Sequence, residues 1–181
     1  MFRQREVTLN VKFRTCRLSD LENLEWFGMF YNHRNIIRES FRRHREGNNY
    51  MIVAEMNSFP IAQVWIDLEK KRLANTGIIW ALRVLPPLQR LGIGTDLIRI
   101  SENFLQRKGY SICEICVDKV NTSARRLYER LGYSVISELK EEYSYLTPSN
   151  EKVLCISEEW MLQKALMEET KKNVSRAGLL V

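Results

Sequence analysis

Apolar residues recur along this chain with two periods, and the changes of period mark out its elements. Val11 to Arg17 alternates as a first strand does. Ser19-Asp20 then offers an N-cap to a helix carrying Leu21, Leu24 and Phe27. A second helix, ending at Gly47, sets Ile37 and Phe41 on one side and Arg34, Arg38, Arg42 and Arg45 on another. Tyr50 to Met56 and Ile61 to Leu68 are strands, with hairpin chemistry in Asn57-Ser58-Phe59-Pro60 between them. After polar Glu69 to Arg72, the apolar run from Gly77 to Leu82 is a buried strand that ends before Pro86-Pro87. Ile93, Leu97, Ile100, Phe104 and Leu105 then follow helical spacing, and Gly109 sits where a left-handed C-terminal cap belongs.

Ser111 to Val117 is nearly continuous hydrophobe, so it is a second buried strand. The helix before it supplies the crossover that makes the two buried strands parallel. Asn121 or Thr122 opens a helix in which Ala124, Leu127, Tyr128 and Leu131 share a face and Gly132 ends the run. Tyr133 to Lys140 and Val153 to about Lys164 form an antiparallel pair across Thr147-Pro148-Ser149-Asn150. The fold class is therefore α/β (α+β): one mixed sheet, antiparallel at both ends and parallel at the centre, with helices on both faces. Residues 1–166 make this single domain. Residues 167–181, with Lys171, Lys172 and Arg176, form a C-terminal tail or a short helix against a partner subunit, as in a homodimer.

Composition agrees with one globular domain: 181 residues, 45% hydrophobic and 28% charged. The first ten residues, MFRQREVTLN, hold no apolar core of a leader, and Gly77 to Leu82 is too short to cross a bilayer. These features predict a soluble, cytoplasmic protein without membrane contact. Four cysteines include Cys113-x-x-Cys116, but residues three apart on a strand point to opposite faces and no second pair completes a zinc site. No metal is expected, and Cys16, Cys113, Cys116 and Cys155 are expected to be buried free thiols. The net charge of +6 is densest from His33 to Arg45, yet that segment has no aromatic interleaving of the kind that stacks bases, and a solvated face explains it about as well. A nucleic-acid partner is disfavoured.

The candidate chemistry lies between the two buried strands. Gly92 and Gly94 stand at a helix start, where unpartnered N–H groups bind anions and side chains only obstruct. A Walker loop requires Gly-Lys-Ser/Thr, and Gly94 is followed by Thr95 and Asp96. A dinucleotide fingerprint requires a third small residue where this chain has Leu97. What remains, Gln89-x-x-Gly92-x-Gly94 after Leu82-Arg83-Val84, resembles the acyl-CoA pyrophosphate loop of the GCN5-related N-acetyltransferase (GNAT) superfamily. Downstream, Asn121, Ala124, Leu127, Tyr128, Gly132 and Tyr133 match every anchor of that family's second motif. The resemblance is specific over residues 78–135 and extends by element order from about 11 to 164.

The resemblance implies an acyl-CoA-dependent N-acetyltransferase with acetyl-CoA as co-substrate. It puts the pyrophosphate on the amides of Gln89, Arg90, Leu91, Gly92, Ile93, Gly94 and Thr95, and the pantetheine arm along Leu82, Arg83 and Val84. Asn121 matches a cofactor-contacting asparagine that also caps its helix, and Tyr128 matches the general acid. A phenol remains protonated at neutral pH and can hand its proton to a thiolate. The bland alternative makes Tyr128 a core residue. Arg90, Arg125 and Arg126 lie near the phosphate end, with plain solvation as the alternative.

The family's general base has no match. Relatives of the histone type carry a glutamate where this chain has Gly77, Ile78 and Ile79, and ribosomal-protein alanine acetyltransferases carry one where it has Cys116. Glu114 shares the strand face of Cys116 and is the candidate, with Glu55, Asp67 and Glu69 behind it. Without a strong base, an α-amine near its pKa is a better acceptor than a lysine side chain. The expected acceptor is thus an α-amine or a small-molecule or peptide amine. Two rivals remain: a catalytically weak acyl-CoA-binding regulatory module on the same fold, and a basic nucleic-acid-binding domain.

Overall fold

The computed structural model of the chain describes residues 8–166, so the 167–181 tail lies outside the described residues. Seven strands form one sheet in the order β1-β2-β3-β4-β5-β7-β6. They are β1 (Lys12–Thr15), β2 (Asn49–Met56), β3 (Phe59–Asp67), β4 (Thr76–Val84), β5 (Ile112–Asp118), β6 (Ser134–Leu146) and β7 (Lys152–Ala165). Among the described residues three α-helices accompany them: α1 (Arg34–Arg45), α2 (Ile93–Arg107) and α3 (Thr122–Arg130). Only β4 and β5 run parallel, joined through α2, and every other pairing is antiparallel. The mixed sheet is as its hydrophobic pattern requires.

Strand alternation splits the interior into two cores on opposite faces of the sheet. Ile52 and Ala54 of β2 join Ile93, Leu97, Ile98 and Leu105 of α2, together with Tyr128 of α3. Met51 and Val53, one residue out of phase, join Ile37 and Phe41 of α1. Helix α2 lies so close to β4 that a Cβ on Gly77 would stand 2.1 Å from Cδ2 of Leu105. Gly77 is thus an interior strand glycine set by helix contact, and β4 begins before it. No helix among the described residues is long and apolar enough to cross a membrane.

The helix expected after Ser19-Asp20 does not form. Two 3₁₀ turns, Leu18–Asp20 and Asn23–Glu25, stand in its place. Asp20 accepts from the Arg17 amide at 2.7 Å and from Arg14 Nη1 and Nη2 at 2.7 and 2.9 Å, so its carboxylate closes a tight turn around a buried cation. Trp26 and Phe27 then take left-handed φ of 43° and 57°, which ends any helix. Trp26 is driven inward and donates from Nε1 to the Pro60 carbonyl at 2.8 Å, while Phe27 lies exposed and stacked on Phe59. The hairpin is also tighter than expected. Asn57 and Ser58 alone make the turn, both at positive φ, and Phe59 and Pro60 belong to β3. Strand β6 runs on to Leu146, well past its expected limit at Lys140, towards the turn at Thr147, whereas β7 keeps close to its expected bounds.

Candidate active site

β4 and β5 pair from Thr76 with Ile112 to Ile79 with Ile115, and there the pairing stops. Beyond that point β4 continues along β3 to Val84, and β5 continues along β7 to Asp118. The cause is an extra residue in β4: Trp80 opposes Trp65 and Arg83 opposes Gln63, with Ala81 between at φ 50°. The bulge swings β4 away and leaves a fork between the C-terminal ends of the two central strands.

The chain leaves β4 through a 3₁₀ turn, Pro86–Leu88, and Gln89 returns its side chain to the Val84 carbonyl at 3.1 Å. Arg90 and Gly92 take φ of 65° and 87°, which turn the backbone so that α2 starts at Ile93. Among the described residues the first helical donor with a partner is Asp96, to the Gly92 carbonyl at 3.1 Å. Among the described residues, the amides of Arg90, Leu91, Gly92, Ile93, Gly94 and Thr95 meet no acceptor. The Gln89 amide differs: it bonds to the Pro86 carbonyl at 3.3 Å. A Cβ on Gly92 would meet nothing within 4 Å, so the loop is open at that position. Six donors and the positive end of a 15-residue helix are an arrangement that could hold an anion such as a diphosphate.

On the other side of the fork, Asn121 caps α3 by accepting from the Ala124 amide at 3.1 Å. One turn on, the Tyr128 ring is buried in the first core with its edge towards Tyr133. Among the described residues its hydroxyl has no hydrogen-bond partner, and the oxygen is not sealed from solvent. Burial pushes the phenol up to about 12. Tyr128 therefore combines a packed ring with a proton held at neutral pH.

The model of the acetyltransferase (GNAT) family matches residues 16–133. This chain belongs to that family. Its fold is similar to that of yncA of Salmonella typhimurium with its cofactor acetyl-CoA, at 15% identity and TM-score 0.68, over 91% of this chain and 99% of that one. Arabidopsis thaliana NAA60 in complex with acetyl-CoA aligns at 19% identity and TM-score 0.66, over 87% and 99%. The ribosomal-protein alanine N-acetyltransferase of Escherichia coli aligns at 14% identity and TM-score 0.65, over 91% and 99%. Two of these neighbours are described with acetyl-CoA, and the free amides beside the fork of this GNAT chain offer donors that could hold the diphosphate of such a molecule.

The GNAT domain's carboxylates fall into two groups. Glu114 is buried, with Lys71 Nζ at 2.5 Å and Gln163 Nε2 at 3.1 Å. It lines a cavity of about 540 Å³ bounded by Lys71, Thr76, Ile112 and Gln163. That cavity lies at the ends of β4 and β5 remote from the fork. Cys113, Ile115 and Val117 point into the core of Tyr128, so Glu114 and Cys116 point to the opposite face. Glu55 is held by Arg14 at 2.5 Å, and Asp67 by Arg43 and the amides of Glu69 and Lys70. Exposed Glu69 has Arg43 at 3.4 Å. All four carboxylates picked from the sequence are engaged.

Glu159 is different, and nothing in its local sequence marks it. Across β7 it opposes Asp118, beyond the fork, and alternation with Leu162 puts it on the face of Cys116. It has no ion pair among the described residues. Burial first, then the charge of Glu141, raises its carboxyl above the usual range; Ser157 and Cys116 oppose this in part. Its position became legible only when β7 inserted between β5 and β6.

The remaining candidates are quickly located. Arg90 and Arg126 are exposed, and Arg125 pairs with Glu129 at 2.9 Å and lies over Trp160. The basic face of α1 is partly neutralised, since Arg34 pairs with Glu25 and Arg42 with Glu39 and Glu46. Cys16 and Cys113 are buried free thiols as expected, whereas Cys116 and Cys155 are only partly buried. Burial raises Cys113 to about 12 and Cys116 to about 11.

Proposed function

We propose that this GNAT protein transfers acetyl from acetyl-CoA to an α-amine or small-molecule amine by direct attack within a ternary complex. The observation that carries this reading is the run of six unpartnered amides from Arg90 to Thr95, ending beside a forked pair of central strands. The thioester supplies an activated acetyl group, and the protein's task is to orient two partners and move protons. The loop amides hold the diphosphate, and the β4 edge left unpaired beyond Ile79 runs along the pantetheine arm at Leu82, Arg83 and Val84. The N–C bond forms as the C–S bond breaks. Tyr128 gives its phenolic proton to the departing sulfur and regains one from solvent.

The acceptor nitrogen must be neutral to attack. An α-amine supplies that form in about one molecule of ten at pH 7, against about one in a few thousand for a lysine side chain. Glu159, the carboxylate beyond the fork without a cation and with a raised pKa, is the general base in this reading. Ion-paired Glu114 supports the sheet instead.

Release of free thiol from acetyl-CoA, followed against a panel of amines, tests the proposal. Turnover with α-amines and small amines is expected. Efficient acetylation of lysine side chains whose α-amines are blocked overturns the acceptor class. Tight acetyl-CoA binding without thiol release for any amine replaces the enzyme with a binding module, a reading favoured only by the engaged state of Glu114, Glu55 and Asp67.

A further inference from the structure

Leu82 and Val84 pack on the first core, so Arg83 between them leaves the opposite face of β4. Its guanidinium carbon lies 4.3 Å from the centre of the Phe30 ring and 5.8 Å from that of Trp65. No carboxylate among the described residues pairs with it, and Nη1 is sealed from solvent without a partner. Burial pushes the group down to about 10, a measure of how poorly the charge is compensated.

The surroundings repeat the deficit. Gln63, the cross-strand partner of Arg83, is fully buried; its Oε1 accepts from Trp65 Nε1 at 2.9 Å and its Nε2 has no partner. His33 Nδ1 is likewise sealed and unpartnered, with its ring stacked on Tyr145 and edge-on to Phe30. Among the described residues, three of the four buried side-chain atoms without partners therefore belong to residues around one guanidinium, the fourth being Ser157 Oγ. Other arginines that enter this fold are matched: Arg14 by Asp20 and Glu55, Arg34 by Glu25, Arg43 by Asp67. A half-satisfied buried network is disfavoured unless a ligand completes it.

Resting on the acetyl-transfer reading above, we propose that Arg83, backed by Gln63 and His33, is the carboxylate subsite of the acceptor, which is an amine bearing a carboxylate close to its nitrogen. A planar guanidinium fork matches a carboxylate, and the rings of Phe30, Trp65 and Tyr145 leave an apolar wall for the rest of the molecule. Arg83 stands two residues past the bulge at Ala81, beside the fork where acetyl transfer takes place, so the anion is held near the amine.

The test uses matched acceptors: L-phenylalanine and L-methionine against their α-carboxamides, and tetrapeptides beginning with Glu against the same peptides beginning with Gln. For the wild-type protein, kcat/KM is expected to favour the carboxylate member of at least one series by about tenfold or more. Preference within the amino acids identifies a free α-carboxylate, and preference within the peptides identifies an acidic side chain. Arg83→Met is expected to bring that ratio close to one, with Arg83→Lys retaining part of it. Tryptophan fluorescence of the full-length protein, titrated with the same pairs, reads the subsite through Trp65 without any turnover. Thiol release with equal preference for both members overturns the subsite and leaves acetyl transfer standing. A selective fluorescence response without thiol release for any amine overturns acetyl transfer and leaves the subsite standing. Equal fluorescence response to both members, with no thiol release, overturns both.

Discussion

The two sides of the forked sheet are built in opposite ways. The cofactor side is backbone: amides from Arg90 to Thr95, positive φ at two positions, and an edge of β4 left unpaired. The proposed acceptor side is side chains, with Phe30 and His33 from the loop before α1, Gln63 and Trp65 from β3, Arg83 from β4 and Tyr145 from β6. A backbone site tolerates changes of side chain as long as the turn is kept. A side-chain site depends on the identity of each contributor and on the packing that brings them together. Binding of a common co-substrate suits the first design, and choice among acceptors suits the second.

The largest test of this contrast is chemical. Tyr128→Phe is expected to lower turnover by about ten- to ten-thousand-fold while acetyl-CoA affinity, measured by calorimetry, stays the same. Unchanged turnover would return Tyr128 to the core. Glu159→Gln should cost a similar factor. Because the base acts deprotonated and its pKa is raised, wild-type kcat/KM should fall as pH drops through a value above the ordinary glutamate range, and the variant should lose that limb. A retained limb would remove Glu159 from the chemistry.

Stability separates the sides next. Asp20 anchors the loop that leads to Phe30 through its buried pair with Arg14 at 2.7 Å, and Asp20→Ala should cost about 3 kcal/mol by urea unfolding. Burial alone would raise this carboxyl, but Arg14 and the Arg17 amide win and its pKa is lowered. Its contribution is therefore complete above its unfolded value near 3.9 and is lost as pH falls through the lower folded value. The variant should show a flatter acid limb below about pH 4. On the other face, Gly77→Ala drives a methyl into Leu105 and should cost about 1–3 kcal/mol, seen in the same unfolding assay.

The smallest effect is the sharpest for the loop. Gly92→Ala meets no atom but must keep φ at 87°, a cost of about 1–2 kcal/mol, and should weaken coenzyme A binding. Gly94→Ala meets only ordinary contacts, 3.6 Å from Val84 and 4.0 Å from Leu127, and should bind nearly as well as wild type. Equal losses for both substitutions would show that space at the helix start, and not backbone conformation, sets affinity.

Much of this molecule follows from local rules. Alternation and helical spacing locate β2 to β5 and α1 to α3, because burial of one face selects the period. The glycine loop and the Asn121 cap are equally local, since helix ends expose donors wherever they occur. The segment from Leu18 to Phe30 escapes such rules. Its Asp20 signals a helix start, yet a cation 41 residues away from its own second partner, Arg14 with Glu55, takes the carboxylate into a tight turn. Long-range charge pairing in a buried place outweighs the fraction of a kcal/mol that separates one backbone propensity from another.

The amino-acid order by itself determined the strands β2 to β5, the helices α1 to α3, the glycine loop at the start of α2 and, through the crossover helix, the parallel pair at the centre, because burial period and helix-end signals are local. It did not determine the segment after Ser19-Asp20. Tertiary structure alone decided which carboxylates are engaged, that Glu159 reaches the face of Cys116, and that Arg83 lies over the rings of Phe30 and Trp65 without a counter-ion among the described residues. Those facts depend on strand order and on a one-residue bulge at Ala81, and a single slip in register sends every later side chain to the opposite face.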